Sequence, residues 1–85
     1  MNPIPLRVMV LDAWDDVRFD VPPTALVSEL KAQALQAARV RAPASEYLVK
    51  FRGAELAEGD QTLADAGVVA NAGLIVLARA RTPIR

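Results

Sequence analysis

Leu74-Ile-Val-Leu-Ala78 is the most apolar run in this chain, and it decides the fold. A short, uninterrupted apolar run is typical of a strand in the centre of a sheet. Because side chains alternate between the two faces of a strand, we expect Leu74 and Val76 to point into the core. Ile75 and Leu77 then point to the opposite face, toward solvent.

Two runs near the beginning of the chain show the same alternation. Residues 6–11 place Leu6, Val8 and Val10 on one face and Arg7, Met9 and Leu11 on the other, and residues 17–21 place Val17, Phe19 and Val21 on one face. The stretch between them, Asp12–Asp16, is rich in turn-forming residues. These patterns predict an N-terminal antiparallel hairpin.

A helix is predicted from Ala25 to about Arg39, after Pro22 and Pro23 end the second strand. Its apolar positions recur every three or four residues, as one helical stripe requires; they are Val27, Leu30, Ala34 and Ala38. We expect Thr24 to be the N-cap. Arg39 and Arg41 suit the negative end of the helix dipole.

A third strand is predicted at Glu46–Phe51, with Tyr47, Val49 and Phe51 on one face and Leu48, Lys50 and Arg52 on the other. Leu56 is the expected buried anchor of the loop that follows, and Thr62–Asp65 resembles a capping-box start to a helical turn. The element order predicts an α+β fold: a mixed four- to five-stranded sheet with one helix across one face (ββαββ), the first and last strands being central neighbours.

The composition excludes several classes of chemistry. The 85 residues contain ten basic and ten acidic side chains, no histidine and no cysteine. No imidazole base, thiolate nucleophile or soft metal site is therefore available, and we expect neither an enzyme nor a cofactor-binding protein. Zero net charge argues against nucleic-acid binding, and no apolar run approaches the ~20 residues that span a membrane. The lack of cysteine fits a cytoplasmic protein.

The segment Lys50-Phe-Arg-Gly-Ala-Glu-Leu-Ala-Glu-Gly-Asp-Gln-Thr-Leu-Ala-Asp-Ala-Gly-Val68 resembles the ubiquitin-like signature. An aromatic residue, a glycine and a leucine are followed by a glycine turn, Thr-Leu-x-Asp and a buried aliphatic residue; the matching positions are Phe51, Gly53, Leu56, Gly59, Thr62, Leu63, Asp65 and Val68. The resemblance spans roughly residues 6–81 and implies a β-grasp fold, with residues 1–81 as the domain and 82–85 as a flexible tail.

The end of the sequence departs from that family. Conjugated modifiers and sulfur carriers need a terminal Gly-Gly, whereas Thr82-Pro-Ile-Arg85 stands here and no glycine follows Gly73. We therefore expect a non-conjugating member. A modifier or sulfur-carrier relative that has lost, or here lacks, its conjugating C-terminus is the alternative. A narrower interpretation is a bacterial accessory protein that resembles the ubiquitin-like proteins of type VII secretion.

The outward-facing residues of the sheet predict a protein-binding face, because small monomers seldom expose a contiguous apolar patch. The candidate binding residues are Met9, Trp14, Leu48, Lys50, Arg52, Ile75, Leu77 and Arg79. Ubiquitin has an apolar patch at the same place, and Lys50 stands where its central isoleucine would be. The cations predict a partner with an acidic rim around an apolar surface.

The sequence leaves two points about this surface open. Trp14 is either an anchor for the partner or a lid folded onto Met9 or Leu77. Weak homodimerisation through the same face is an alternative to binding another protein. The acidic side chains near the first hairpin lack the spacing of a calcium loop and are interpreted as a solvated turn; they are Asp12, Asp15, Asp16 and Asp20.

Overall fold

One mixed sheet and one helix make up the fold in this computed structural model, which describes residues 3–79 except the side chain of Asp12. The strands are β1 (Ile4–Val10), β2 (Asp15–Val21), β3 (Tyr47–Phe51), β4 (Ala54–Glu55) and β5 (Ala72–Ala78), and the helix is α1 (Val27–Ala37). The sheet order is β2-β1-β5-β3-β4, in which β1 and β5 run parallel and the other pairs antiparallel. The predicted α+β architecture is confirmed.

The apolar run forms the middle strand, as its pattern predicts. β5 is bordered by β1 on one side and by β3 on the other. Leu74 and Val76 are buried, whereas Ile75 is exposed. Together with Leu30 and Val27 from α1, these inward side chains form the core; each fully buried Leu or Val stabilises the fold by about 1.5–3 kcal/mol.

The helix begins later than predicted, and the expected N-cap at Thr24 is wrong. The N-cap is Leu26, whose backbone N–H donates to Glu29 Oε1 at 2.9 Å. Residues 23–27 are paired with a distant segment: Val27 N–H donates to the Gln61 carbonyl, and Leu63 N–H donates to the Ala25 carbonyl. This long-range pairing delays the first helical turn.

The helix ends through the backbone of Arg39, not through its charge. Arg39 has φ 62°, in the left-handed region, and its N–H donates to the Gln36 carbonyl. The N–H of Val40 donates to the Leu35 carbonyl. This pair of hydrogen bonds is the Schellman motif, which normally places glycine at the left-handed position.

The loop between β4 and β5 follows the predicted pattern. Leu56 is buried, and Val68 is buried after a turn in which Gly67 has φ 82°. The Asp65 N–H donates to Thr62 Oγ1 at 3.1 Å, as in a capping box. The predicted tail, residues 82–85, lies outside the described residues.

Candidate protein-binding surface

The outer face of the sheet, opposite α1, brings Met9, Ile75 and Lys50 into one row. Ile75 on the central strand β5 lies between Met9 on β1 and Lys50 on β3 in the strand register. The row ends at Asp16 on β2 and Glu55 on β4. The hydrogen-bond ladder sets this alignment, so the three predicted residues keep it without needing side-chain contacts.

A second row adds the other predicted apolar residues. Leu77 lies opposite Leu48 in the pairing of β5 with β3. The 3-10 turn Leu11–Ala13 follows β1 and contacts β5, so Leu11 extends this row. We call the five side chains the apolar patch: Met9, Leu11, Leu48, Ile75 and Leu77. Ile75 is 40% exposed and the other four are half-buried.

Two predicted cations lie beside the patch, Lys50 half-buried within its row and Arg52 in the tight turn between β3 and β4. The turn consists of Arg52 and Gly53, both with positive φ, as a two-residue hairpin turn requires. The Arg52 guanidinium is 5.6 Å from the centroid of the Phe51 ring. Neither cation has a carboxylate at ion-pair distance among the described residues, so both charges are available to a partner.

Arg79 behaves differently from the other predicted cations. Its Nε donates to the Ser45 carbonyl at 3.0 Å, and Nη1 lies 3.3 Å from Glu55 Oε2. Nη2 lies 3.7 Å from Glu58 Oε2. The guanidinium is thus already paired at the β3–β4 edge and has less charge to offer a partner than Lys50 or Arg52.

Glu58 links this edge to the helix through a buried lysine. Lys31 is 3% exposed, and its Nζ lies 2.8 Å from Glu58 Oε1 and donates to the Tyr47 carbonyl at 2.9 Å. A buried cation needs such partners because desolvation is costly. The sequence pattern did not indicate this pair, since its members lie 27 positions apart in a helix and a loop.

Trp14 lies at the tip of the first hairpin with its side chain in water. It is 84% exposed and has φ 49°. Its exposure excludes the lid interpretation, in which it would cover Met9 or Leu77. The neighbouring Asp15 and Asp16 are exposed as well, and no three acidic side chains among those the structure describes are grouped closely enough to hold a metal ion.

Three further residues of the outer face were not among the predicted binding residues. Arg7 lies opposite Arg18 on β2 and opposite Gly73 on β5, and both arginines are exposed. Alternation along each strand indicates the face of each residue. The juxtaposition depends on the register between strands, which alternation does not provide.

No helix within residues 3–79 is long and apolar enough to cross a membrane.

The chain has the ubiquitin-like β-grasp fold. The structure superposes on Caldiarchaeum subterraneum ubiquitin with a TM-score of 0.78 and 15% sequence identity, covering 95% of this chain and 99% of that one. It also superposes on the N-terminal ubiquitin-like domain in the 4931431F19Rik protein with a TM-score of 0.76 and 18% identity, covering 99% of this chain and 82% of that one. At these identities the likeness establishes the fold alone.

No protein-family model matches the sequence, and no curated protein matches it either.

Proposed function

We propose that this ubiquitin-like domain is a non-enzymatic module that binds another protein non-covalently through the outer face of its sheet. The observation that carries the proposal is the apolar patch on the central strands, with Lys50 and Arg52 beside it, neither of which has an ion-pair partner among residues 3–79. An apolar centre bordered by charge is the common anatomy of a protein interface. The partner we infer has an apolar surface with acidic residues around it.

The apolar patch contributes to affinity because a partner would bury apolar surface that is now exposed to solvent. Ile75 is 40% exposed, and its four half-buried neighbours add a continuous apolar surface around it. Covering apolar surface contributes roughly 25 cal/mol per Å² before the costs of association are subtracted. Because those costs are substantial, the charges beside the patch contribute mainly to encounter rate and orientation.

Trp14 gives the surface a second anchor. Tryptophan is one of the residue types that dominate binding energy when a partner buries them. Here the side chain is exposed at the hairpin tip, next to the exposed Asp15 and Asp16. A partner that reaches beyond the patch to the hairpin would bury it, and Trp14→Ala would then weaken binding without destabilising the fold.

The test is affinity capture with matched surface variants. The Ile75→Asp, Leu77→Asp double variant should lose the proteins that the wild type enriches, and the milder Ile75→Thr, Leu77→Thr variant should reduce them while keeping strand propensity. The control is Gln33→Asp, Gln36→Asp on the exposed side of α1, which adds the same charge elsewhere. Equal losses in both Asp variants, or none in either, would contradict the proposal.

A further inference from the structure

A trough lined by arginines lies directly beside the apolar patch on the same face of the sheet. Arg7, Arg18 and Arg52 lie around the strand position of Gly73. We call these four residues the Gly73 trough. We propose that the Gly73 trough binds carboxylates of an extended acidic segment of the partner protein, beside the apolar patch; this rests on the proposed function.

The first feature of the trough is the glycine at its centre. Gly73 lies inside β5, where glycine weakens a strand, yet its φ is outside the positive range that only glycine readily adopts. A Cβ built at this position would meet nothing within 4 Å. Neither backbone conformation nor packing requires glycine here. A strand glycine often marks close approach by a ligand or by another backbone, which fits an occupant lying over Gly73.

The second feature of the trough is its excess of positive charge. Arg7 and Arg18 are directly opposite on paired strands, and like charges in this position destabilise a sheet. Neither arginine, nor Arg52, has a carboxylate at ion-pair distance among residues 3–79. Asp20 is the one acidic residue that lines either of the concavities beside Gly73. Three arginines against one aspartate leave the trough positive, although the whole chain has a net charge of zero.

The third feature of the trough is its concave shape. A concavity of about 480 Å³ is lined by Arg7, Arg18 and Asn71 among others, and one of about 510 Å³ is lined by Arg52, Gly73 and Asn71 among others. Asn71 is common to both, so they adjoin. Val69 beside the second concavity is 64% exposed and provides apolar contact. A concave, cationic surface with apolar contacts suits an acidic peptide segment.

Continuity with the apolar patch gives the orientation of the partner. Gly73 and Ile75 share a face of β5, two residues apart, which is about 7 Å along a strand. One short extended segment can therefore place apolar side chains on Ile75 and Leu77 and carboxylates at the trough. Arginine is suited to this task because its planar group accepts a carboxylate in a two-point contact.

The test is a titration of the ¹⁵N-labelled chain with two capped hexapeptides, one with three Glu followed by three Leu and the other with three Gln followed by three Leu, so that an extended peptide presents both kinds of side chain on one face. The Glu peptide should shift the backbone amides of Arg7, Gly73 and Arg52 and bind about tenfold more tightly than the Gln peptide. Gly73→Val fills the trough while raising strand propensity, and should remove most of that tenfold advantage. Arg7→Gln, Arg18→Gln should do the same.

The control Arg39→Gln, Arg41→Gln removes two exposed cations near the end of α1 and should leave the advantage intact. Equal binding of both peptides, with shifts confined to the apolar patch, would overturn the trough and leave the proposed function standing. If the Glu peptide binds the trough and the Ile75→Thr, Leu77→Thr variant binds it equally well, the result would support the trough and count against the apolar patch. Tighter binding of inorganic phosphate or of a short single-stranded oligonucleotide than of the Glu peptide would overturn the acidic-protein assignment.

Discussion

Glu58 forms ion pairs with two cations that differ in solvent exposure. One is the buried Lys31, whose side chain is 4% exposed, and the other is Arg79, whose side chain is 45% exposed. Glu55 pairs with the same Arg79 but with no buried group. The two glutamates therefore offer a matched comparison of a buried ion pair with an exposed one.

Glu58→Ala should lower the free energy of unfolding by about 2–3 kcal/mol, because it leaves the Lys31 ammonium buried with the Tyr47 carbonyl as its one remaining acceptor among residues 3–79. Glu55→Ala should cost about 0.5 kcal/mol, as expected for an exposed pair. Urea unfolding followed by circular dichroism measures both values. Equal losses would show that the buried pair adds nothing beyond its exposed counterpart.

At the scale of the element, both ends of α1 are determined by the backbone in ways that side-chain periodicity does not reveal. The start is set by Glu29 together with the pairing of residues 23–27 to residues 61–64. The end is set by Arg39 in a left-handed conformation. A substitution at each end tests this, and each has a control variant nearby in the chain.

Glu29→Ala should destabilise the fold by about 0.5–1 kcal/mol, since the Leu26 N–H loses its acceptor at the helix start. Thr24→Ala should have almost no effect, because Thr24 is exposed and is not the N-cap. Thermal unfolding compares the two. A larger loss for Thr24→Ala would show that the Thr24 hydroxyl caps the helix, as the sequence predicted.

Arg39→Gly should stabilise the fold by about 0.5–1 kcal/mol, because glycine adopts φ 62° without the steric cost that a side chain imposes. Arg41→Gly, two residues on, provides the control and should bring no gain, since Arg41 is absent from the positive-φ positions. Chemical denaturation gives both differences. A gain from Arg41→Gly alone would assign the effect to charge and not to conformation.

The sequence predicted those features that depend on one element at a time. Alternation in the last strand identified Leu74 and Val76 as inward and Ile75 as outward, and the structure agrees. It did not predict the buried Lys31, whose partner lies in a distant loop, nor the apposition of Arg7 with Arg18. Register and long-range pairing depend on the packed molecule, and a single sequence does not display them.

At the scale of the whole molecule, zero net charge hides an uneven distribution. Exposed Asp15 and Asp16 lie at the tip of the first hairpin, and the arginines of the Gly73 trough, which have no ion-pair partner among residues 3–79, lie toward the other end of the outer face. A local field of this kind accelerates the encounter with an oppositely charged surface without requiring a net charge. The distribution favours one orientation of the partner.

The association rate with the captured partner should therefore fall severalfold as ionic strength rises from about 0.05 to 0.5 M, while the dissociation rate changes less. Arg52→Gln should lessen this dependence, and Arg41→Gln should not. Surface plasmon resonance at several salt concentrations measures both rates. A salt-independent association rate would show that the cations do not accelerate the encounter with the partner.

The most direct test of the outer face as the binding surface is amide chemical-shift mapping of the ¹⁵N-labelled chain with the captured partner. We expect the largest changes at Met9, Lys50, Ile75 and Leu77, with the exposed side of α1 nearly unchanged. Changes concentrated on α1, with Ile75 and Leu77 unaffected, would contradict the account.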